Sequence, residues 1–298
     1  MKGAEGSRHI GNSRMKAGIF YFSATGNTRQ VAFWIKEDLE KKGWIVETFN
    51  IELFQKNILK IPDLRSYSLV FVGYPVFAWR EPFNVRDFIK RNFAEKELNV
   101  VQFFTYGGIL GNAPFKLWLV LSKGNRYFGK IHIRAEDSHP VLRRKWTMIF
   151  IKKGWNLCKD RALLSERLAR VLRRFEKGKI AYEVPHPLAF ILDVIGIAYS
   201  KGMIDLWFKK WIDFEKCTSC ALCWRYCPAG VIEPMEKEKG GQVKLIPRFL
   251  KGCIGCYRCV NICPFDALRS FFTKGGIKYK PYGIFSDYTE AGFSPPGK

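Results

Sequence analysis

The sequence predicts an α/β domain with a doubly wound parallel sheet, followed by a small α+β domain near the carboxyl end. Apolar strands alternate with helical patterns from residue 15 to about residue 180, which favours parallel βαβ units. Beyond residue 205, a dense cysteine motif occurs twice at a constant offset. A chain of 298 residues with 47% hydrophobic residues is long enough to bury two such cores.

The amino-terminal stretch leads into the first domain. Residues 1–14 are polar and glycine-rich and lack the apolar centre of a signal peptide, so they predict a loose tail. We therefore assign the first domain to residues 15–180. It opens with an apolar run over 17–22, which predicts a buried strand, and continues into a helical pattern after residue 28.

The turn between this strand and helix is "SATGNT", residues 23–28. A turn of this kind brings hydroxyl groups, backbone N–H groups and a helix N-terminus to one place, which suits a phosphate dianion. It lacks the Gly-Lys-Ser/Thr ending of a Walker loop. An ordinary helix cap remains an alternative at this point.

The remaining elements of the first domain follow from the same periodicities. Further strands are predicted at 44–51, 66–75, 99–108 and 126–135, of which the last is the least regular. Helices are predicted at 83–93, 112–122 and 157–177. The strand over 66–75 is almost continuously apolar, as the centre of a parallel sheet should be.

Ser23, Thr25, Gly26 and Thr28 fit the pattern S/T-x-T-G-x-T, so the first domain resembles the flavodoxins. The resemblance implies strand order 2-1-3-4-5 and an FMN site on the loops after strands one, three and four. The FMN contacts that it implies are Ser23, Thr25, Gly26, Asn27, Thr28, Pro75, Phe77, Trp79, Thr105, Tyr106, Gly107 and Gly108. Phe77 or Trp79 is expected to cover the flavin ring, although packing explains these aromatic residues equally well. The loop "TYGGILGNAPFK" lacks the acidic residue that flavodoxins commonly carry there.

The repeated motif is "CTSCALCWRYCP", which returns 36 residues later as "CIGCYRCVNICP". Cysteines this close in sequence rarely meet disulfide geometry. The spacing C-x-x-C-x-x-C-x-x-x-C-P instead gives three thiolates to one 4Fe–4S cluster and the fourth to its partner cluster. The two predicted ligand sets are Cys217, Cys220, Cys223 and Cys263 for cluster 1, and Cys253, Cys256, Cys259 and Cys227 for cluster 2. Structural zinc is the alternative, but it has no use for the third cysteine in this register.

Residues 205–272 resemble a bacterial two-cluster ferredoxin, with a longer spacer that predicts a hairpin whose tip is Gly240 and Gly241. A flavodoxin-like domain followed by this ferredoxin resembles the flavodoxin-ferredoxin fusion proteins. Cys158 is the ninth cysteine and receives no role. Free thiolates fit a reducing compartment, so we expect a cytoplasmic protein.

Residues 181–204 link the two domains, and residues 273–298 form a carboxyl-terminal extension. The apolar centre of the linker is too short to span a membrane. We expect a buried linker helix, with a helix lying in a membrane interface as the alternative.

The formal net charge is +23, and residues 141–180 hold thirteen Lys or Arg against three Asp or Glu. An acidic redox protein is the first expected partner and an anionic membrane surface the second, whereas no nucleic-acid motif accompanies the charge. A merely solvated basic face, and a homodimer with electron transfer between chains, also stay open.

Three functions compete. The first is an electron carrier, which needs no catalytic residue and links the clusters to FMN. The second is a flavin-dependent oxidoreductase acting on a small molecule or NAD(P)H, although no G-x-G-x-x-G fingerprint follows a strand. The third is a redox or oxygen sensor. We predict the carrier.

Overall fold

A computed structural model describes residues 14–136, 138, 160–187, 189–198, 210–270, 273, 279, 281 and 283–292, and the structural statements below refer to these residues. Residues 1–13 of the predicted tail, and residues 141–159 of the basic segment 141–180, which include Cys158, lie outside the described residues.

The first domain is built on a five-stranded parallel sheet in the order β2-β1-β3-β4-β5. This confirms the predicted order, including the least regular strand. The strands are β1 (Lys16–Tyr21), β2 (Ile45–Asn50), β3 (Leu69–Pro75), β4 (Asn99–Tyr106) and β5 (Arg126–Arg134). β3 is buried along almost its whole length, as expected for the central strand.

Helices cover both faces of this sheet. They are α1 (Asn27–Glu40), α2 (Ile51–Gln55), α3 (Phe83–Asn92), α4 (Ala113–Leu121) and α5 (Arg161–Glu176), with a short 3-10 helix at Leu64–Ser66. One core lies between the sheet and α1 and α5, and the other between the sheet and α2, α3 and α4. Side chains of successive strand residues alternate between these cores because of the pleat.

The linker contains α6 (Ala189–Ala198), which is shorter than the predicted linker segment. The expectation that this helix is buried is wrong for one of its faces, because Phe190, Ile191 and Val194 are exposed. The reason is electrostatic. Asp193 is buried, as is Ala189, and Asp193 pairs with Lys116 and accepts a hydrogen bond from Asn112 Nδ2 at 2.9 Å. The polar contact therefore turns the apolar face outward.

The cysteine-rich region is small and is held by two antiparallel strand pairs. β6 (Lys210–Ile212) pairs with β9 (Leu268–Ser270), and β7 (Ile232–Lys239) pairs with β8 (Gln242–Phe249). Short helices α7 (Leu222–Arg225) and α8 (Arg258–Ile262) each contain the third cysteine of their motif. In sequence, α7 lies between β6 and β7, and α8 lies between β8 and β9. The predicted hairpin tip is confirmed, because Lys239 pairs with Gln242 and both intervening glycines have positive φ.

The extension contributes α9 (Ile284–Glu290), which packs against the first domain. Asp287 accepts hydrogen bonds from Arg29 Nε at 2.6 Å and from Asn50 Nδ2 at 2.9 Å. None of the helices in the described ranges has the length and apolar character needed to cross a membrane.

Candidate cofactor sites

The "SATGNT" loop, hereafter the phosphate loop (residues 23–28), joins the buried end of β1 to the start of α1. Gly26 has φ +107°, a left-handed conformation that a side chain would strain, so this position requires glycine. Its N–H donates to Ser23 Oγ at 3.1 Å, which closes the turn. The hydroxyl groups of Thr28 and Thr105 are 2.8 Å apart, which ties the loop to the end of β4.

A cavity of about 490 Å³ opens over this loop. Hydroxyl groups and the N-terminus of α1 line one end, which is the donor set that a phosphate dianion requires. Nine of the twelve predicted FMN contacts line this cavity: Ser23, Thr25, Asn27, Thr28, Pro75, Phe77, Thr105, Tyr106 and Gly107. Three do not, namely Gly26, Trp79 and Gly108. The phosphate group of FMN fits this end, and residues from two further loops surround the rest of the cavity.

The loop after β3 explains why Phe77 reaches the cavity and Trp79 does not. Phe77 and Arg80 exchange two backbone hydrogen bonds of 2.9 Å, and the two residues between them both have positive φ. This is the geometry of a tight primed turn, which non-glycine residues adopt at a cost. Trp79 packs against Gly111, where an added Cβ would lie 2.5 Å from the Cβ of the tryptophan. Trp79 is therefore held against the loop between β4 and α4.

Several cavity residues were missed by the sequence analysis. Ala24 and Val76 adjoin predicted contacts, while Ala135, Glu136 and Ser138 follow β5. Glu136 supplies an acidic residue from the loop after β5, whereas flavodoxins commonly carry it in the loop after the fourth strand. Its backbone carbonyl accepts a hydrogen bond from Asn27 Nδ2 at 3.0 Å.

The cavity also has a wall from the distant cysteine-rich region. Gly255 and Cys256 line it, although more than 220 residues separate them from the phosphate loop. The first domain and the second cysteine motif therefore enclose one cavity together. No local sequence pattern indicates that Gly255 and Cys256 line this cavity.

The eight motif cysteines form two groups in the structure, and none is in a disulfide. Cys217, Cys220, Cys223 and Cys263 line one cavity of about 330 Å³. Cys227, Cys253, Cys256 and Cys259 line another of about 350 Å³. The two groups coincide with the two predicted ligand sets, including the crossed fourth cysteines. The other lining residues are mostly apolar, as a buried cluster requires.

Without a bound cation, the buried and crowded thiols resist ionisation. Burial, together with the neighbouring Cys220 and Cys217, raises the pKa of Cys223 to about 12. Burial likewise raises the pKa of Cys259 to about 12. Four thiolates packed this closely repel one another, so a group that holds them together must supply positive charge. Iron ions of a 4Fe–4S cluster supply it.

A single metal ion places different demands on its ligands. In the described ranges, no group of three or more His, Cys, Asp or Glu side chains is arranged to hold one metal ion. A cubane cluster takes one thiolate on each of its four irons, so its ligands stand further apart than those of one ion.

Lys210 lies beside the second group of cysteines. Its Nζ donates to Cys253 Sγ at 3.2 Å, and the backbone N–H of Gly255 donates to the same sulfur at 3.5 Å. Burial lowers the pKa of Lys210, but the nearby Cys259 and Cys253 more than offset this, so the pKa is raised. A fixed positive charge and an N–H donor therefore face one ligand of the second set.

Arg258 joins the second cysteine motif to the phosphate loop. It follows Cys256 by two residues, and its side chain is only 1% exposed. The guanidinium donates to the backbone carbonyls of Ser23 and Ala24, each at 2.7 Å. It also forms a bidentate ion pair with Glu52 of α2, which is itself fully buried. Burial lowers the pKa of Arg258, but the carboxylate of Glu52 reverses this and raises it overall.

Two further groups complete this buried network. The Tyr288 hydroxyl of α9 donates to Glu52 Oε2 at 2.6 Å, and the Tyr226 carbonyl accepts from Arg258 at 3.1 Å. The network thus holds the phosphate loop, both cysteine motifs and the carboxyl-terminal helix in one arrangement.

Comparison with known proteins identifies both regions. The flavodoxin domain family matches residues 18–111, and the 4Fe-4S dicluster domain family matches residues 216–267. Pyruvate synthase subunit PorD from Thermotoga maritima is 37% identical over 90 residues, which is 28% of this chain and 79% of that protein. The PorD subunit from Methanocaldococcus jannaschii is 34% identical over 61 residues, which is 20% of this chain and 64% of that protein.

The delta subunit of NADH-dependent phenylglyoxylate dehydrogenase from Aromatoleum evansii is 38% identical over 53 residues, covering 18% of this chain and 50% of that protein. This chain thus spans between half and about four fifths of these curated relatives. A solved flavodoxin from the domain Archaea shares 18% identity over 53% of this chain and 99% of its own, with a TM-score of 0.34.

The fold assignment depends on the sheet order and the matching domain families. The chain belongs to the flavodoxin-ferredoxin fusion iron-sulfur flavoproteins, with a flavodoxin domain followed by a 4Fe–4S dicluster domain.

Proposed function

We propose that this protein relays electrons between two 4Fe–4S clusters and FMN, to or from a redox partner. The observation that carries the proposal is the position of Cys256. This residue lines the cavity over the phosphate loop and also the cavity of the second cysteine group. Two cofactor sites that share a residue are close enough for direct electron exchange.

The proposed roles follow from the lining residues. The hydroxyl groups of Ser23, Thr25 and Thr28, with the N-terminus of α1, would hold the FMN phosphate. Phe77 and Tyr106 would flank the ring, and Gly107 leaves room for the backbone to approach it. When bound, FMN exchanges two electrons in single steps and each cluster carries one. No side chain in this arrangement needs to act as an acid or base.

Arg258 is proposed to hold the two cofactor sites at fixed positions relative to each other. Its two bonds to the carbonyls of the phosphate loop fix the loop from the side opposite its N–H groups, which stay available to a phosphate. Glu52 neutralises the guanidinium, so the buried network adds no net charge beneath the loop.

The placement of both cofactor sites within one chain favours electron transfer inside the chain over transfer across a homodimer. The redox partner would then meet the protein from outside. The relatives named above are subunits of oxidoreductases, which supports a protein partner. The net charge of +23 favours an acidic one, because complementary charge speeds encounter.

The first test is an anaerobic assay of iron, acid-labile sulfide and FMN per chain. Two 4Fe–4S clusters predict about eight irons and eight sulfides, together with one FMN. Addition of NADH or NADPH is expected to leave the visible absorbance unchanged. Rapid bleaching by either nucleotide would favour a flavin-dependent oxidoreductase over the carrier. Clusters without FMN would refute the flavin site.

The partner proposal has its own test in the basic segment. Replacement of Arg143, Arg144 and Lys145 by Glu is expected to slow reduction by an acidic ferredoxin at low salt and to weaken the salt dependence of the rate. An unchanged rate and salt dependence would refute docking through these residues.

A further inference from the structure

A basic cavity lies between the edge strand β5 and α5, away from both cofactor sites. It measures about 680 Å³ and is lined by Gly129, Lys130, His132, Arg167, Arg170, Val171, Arg174, Ala181, Tyr182 and Glu183. The arginines come from one face of α5 because they are three or four residues apart. Four basic side chains therefore face this cavity against one acidic side chain.

The basic charges of the cavity are only partly compensated. Lys130 pairs with Glu183, and Arg170 pairs with Glu166 in an exposed ion pair of 2.7 Å. Arg167 donates to the backbone carbonyl of His132. Arg174 has no acidic partner among the described residues. The cavity thus keeps a net positive charge and free guanidinium donors, which suit phosphate oxygens.

His132 leaves this positive charge unaltered at neutral pH. Burial, together with the positive charges of Arg167 and Lys130, lowers its pKa to about 4. The ring is consequently uncharged in the cavity. Its Nδ1 is buried and has no hydrogen-bond partner in the described part of the chain.

A run of exposed apolar side chains, the apolar strip, begins at the basic cavity and continues along the chain into α6. It consists of Ile180, Tyr182, Val184, Phe190, Ile191 and Val194, which are between 46% and 83% exposed. The first three alternate with Ala181 and Glu183, which face inward, and the last three lie on the outer face of α6. Large apolar groups collected in this way on a surface indicate a binding site.

Two contacts hold the apolar strip in place. The backbone N–H of Ala181 donates to the carbonyl of Tyr127 at 2.7 Å, which keeps the first half of the strip alongside β5. Asp193 is anchored by Lys116 and Asn112, which keeps the apolar face of α6 outward. Tyr182 belongs to the strip and also lines the basic cavity, so the two features are continuous.

We propose that the apolar strip and the basic cavity together dock this protein on an anionic phospholipid membrane. The strip would enter the boundary between headgroups and acyl chains, and the cavity would take a lipid phosphate. Binding to a membrane interface strengthens with the apolar area that is buried and with the attraction of basic residues to anionic lipids. α6 has ten residues and would lie in this plane without crossing the bilayer. The net charge of +23 matches a negatively charged surface.

The test is sedimentation of the cofactor-loaded protein with vesicles of phosphatidylglycerol or of phosphatidylcholine. We expect binding to phosphatidylglycerol to be at least tenfold tighter. The double variant Arg170→Gln/Arg174→Gln removes charge from the cavity and is expected to weaken this binding at least tenfold. The double variant Ile191→Ser/Val194→Ser removes apolar area and is expected to weaken binding to a similar extent.

Two matched variants control for nonspecific effects. Arg173→Gln/Lys177→Gln removes two charges from the end of α5 outside the cavity, and Val243→Ser/Leu245→Ser removes two exposed apolar side chains from the β7–β8 hairpin. Both are expected to bind vesicles within about twofold of the unchanged protein. Iron and FMN contents should be equal in all variants, so a failure of the cofactor assignment would be seen separately from a failure of docking.

Several outcomes would overturn the proposal. Equal or absent binding to the two kinds of vesicle would do so, as would an equal loss in the matched variants. A third arm adds inorganic phosphate at constant ionic strength. If phosphate abolished vesicle binding and bound the free protein with micromolar affinity, the cavity would belong to a soluble phosphate compound and not to a lipid.

Discussion

Replacing Arg258 by methionine is expected to destabilise the contact between the phosphate loop and the second cysteine motif by about 3–5 kcal/mol, the usual cost of removing one partner from a buried ion pair. The substitution leaves Glu52 charged and fully buried with Tyr288 as its remaining side-chain donor. It also removes the donors to the carbonyls of Ser23 and Ala24.

The magnitude converts into a measurable change in melting temperature. For a domain of roughly this size, 1 kcal/mol shifts the Tm by about 2–4 °C, so Arg258→Met should lower the Tm by on the order of 10 °C. The assay is anaerobic thermal unfolding of the cofactor-loaded protein, with the dissociation constant of FMN measured in parallel. FMN binding should weaken because the phosphate loop loses its buried support.

The double variant Arg258→Met/Glu52→Gln separates charge from packing. Glutamine keeps an acceptor for Tyr288 while it removes the buried charge, so the double variant should recover much of the lost stability. The reasoning would be refuted if Arg258→Met changed the Tm by less than about 2 °C and left FMN affinity unchanged, or if the double variant were less stable than Arg258→Met alone.

Three further predictions concern the cofactors. Thr25→Ala should weaken FMN binding about tenfold, because a hydrogen bond to a charged group contributes about 1.5–3 kcal/mol, whereas Thr48→Val in β2 should leave the FMN dissociation constant unchanged. Cys263→Ser should lose cluster 1 and Cys227→Ser should lose cluster 2, each with about half of the iron and sulfide, whereas the control Cys158→Ser should lose none. Loss of the same cluster in both variants would contradict the crossed ligation. Lys210→Met should lower the reduction potential of one cluster by on the order of 50 mV, because it removes a positive charge beside Cys253. A redox titration followed by EPR measures this shift. Equal shifts in both clusters, or no shift, would contradict the position of Lys210 beside the second group of cysteines.

The sheet and the cysteine groups were predictable because each is encoded locally. Strand and helix periodicities in the first domain give the order of elements, and the phosphate loop follows β1 directly. The cysteine spacing predicts the crossed ligand sets, because the first three cysteines of each motif bind one cluster and leave the fourth to bind the other cluster. These features require no knowledge of how the two domains dock.

The contact between domains could not be predicted because it joins residues far apart in sequence. Arg258 and Glu52 are 206 residues apart, and Gly255 and Cys256 reach the cavity of the first domain only in the folded chain. One signal was present: a glutamate in the apolar stretch "IELF" and an arginine between two cysteine ligands are both costly to bury alone. Charged residues in such settings indicate a buried partner without naming it.

The orientation of α6 was missed for a related reason. The apolar composition of the linker suggested burial, but the single acidic residue Asp193 decides which face points inward. Its partners, Lys116 and Asn112, belong to the preceding domain. A charged residue in an apolar helix therefore determines the side that packs, and the apolar side is left exposed.

The most direct test of the electron-relay proposal is the kinetics of electron redistribution after rapid partial reduction of the cofactor-loaded protein. Absorbance changes of flavin and of iron-sulfur clusters are followed over a range of protein concentrations. Because the flavin cavity and the second cysteine group share Cys256, we predict first-order redistribution with a rate independent of concentration. A rate that rises in proportion to protein concentration would contradict the account, because electrons would then pass between molecules.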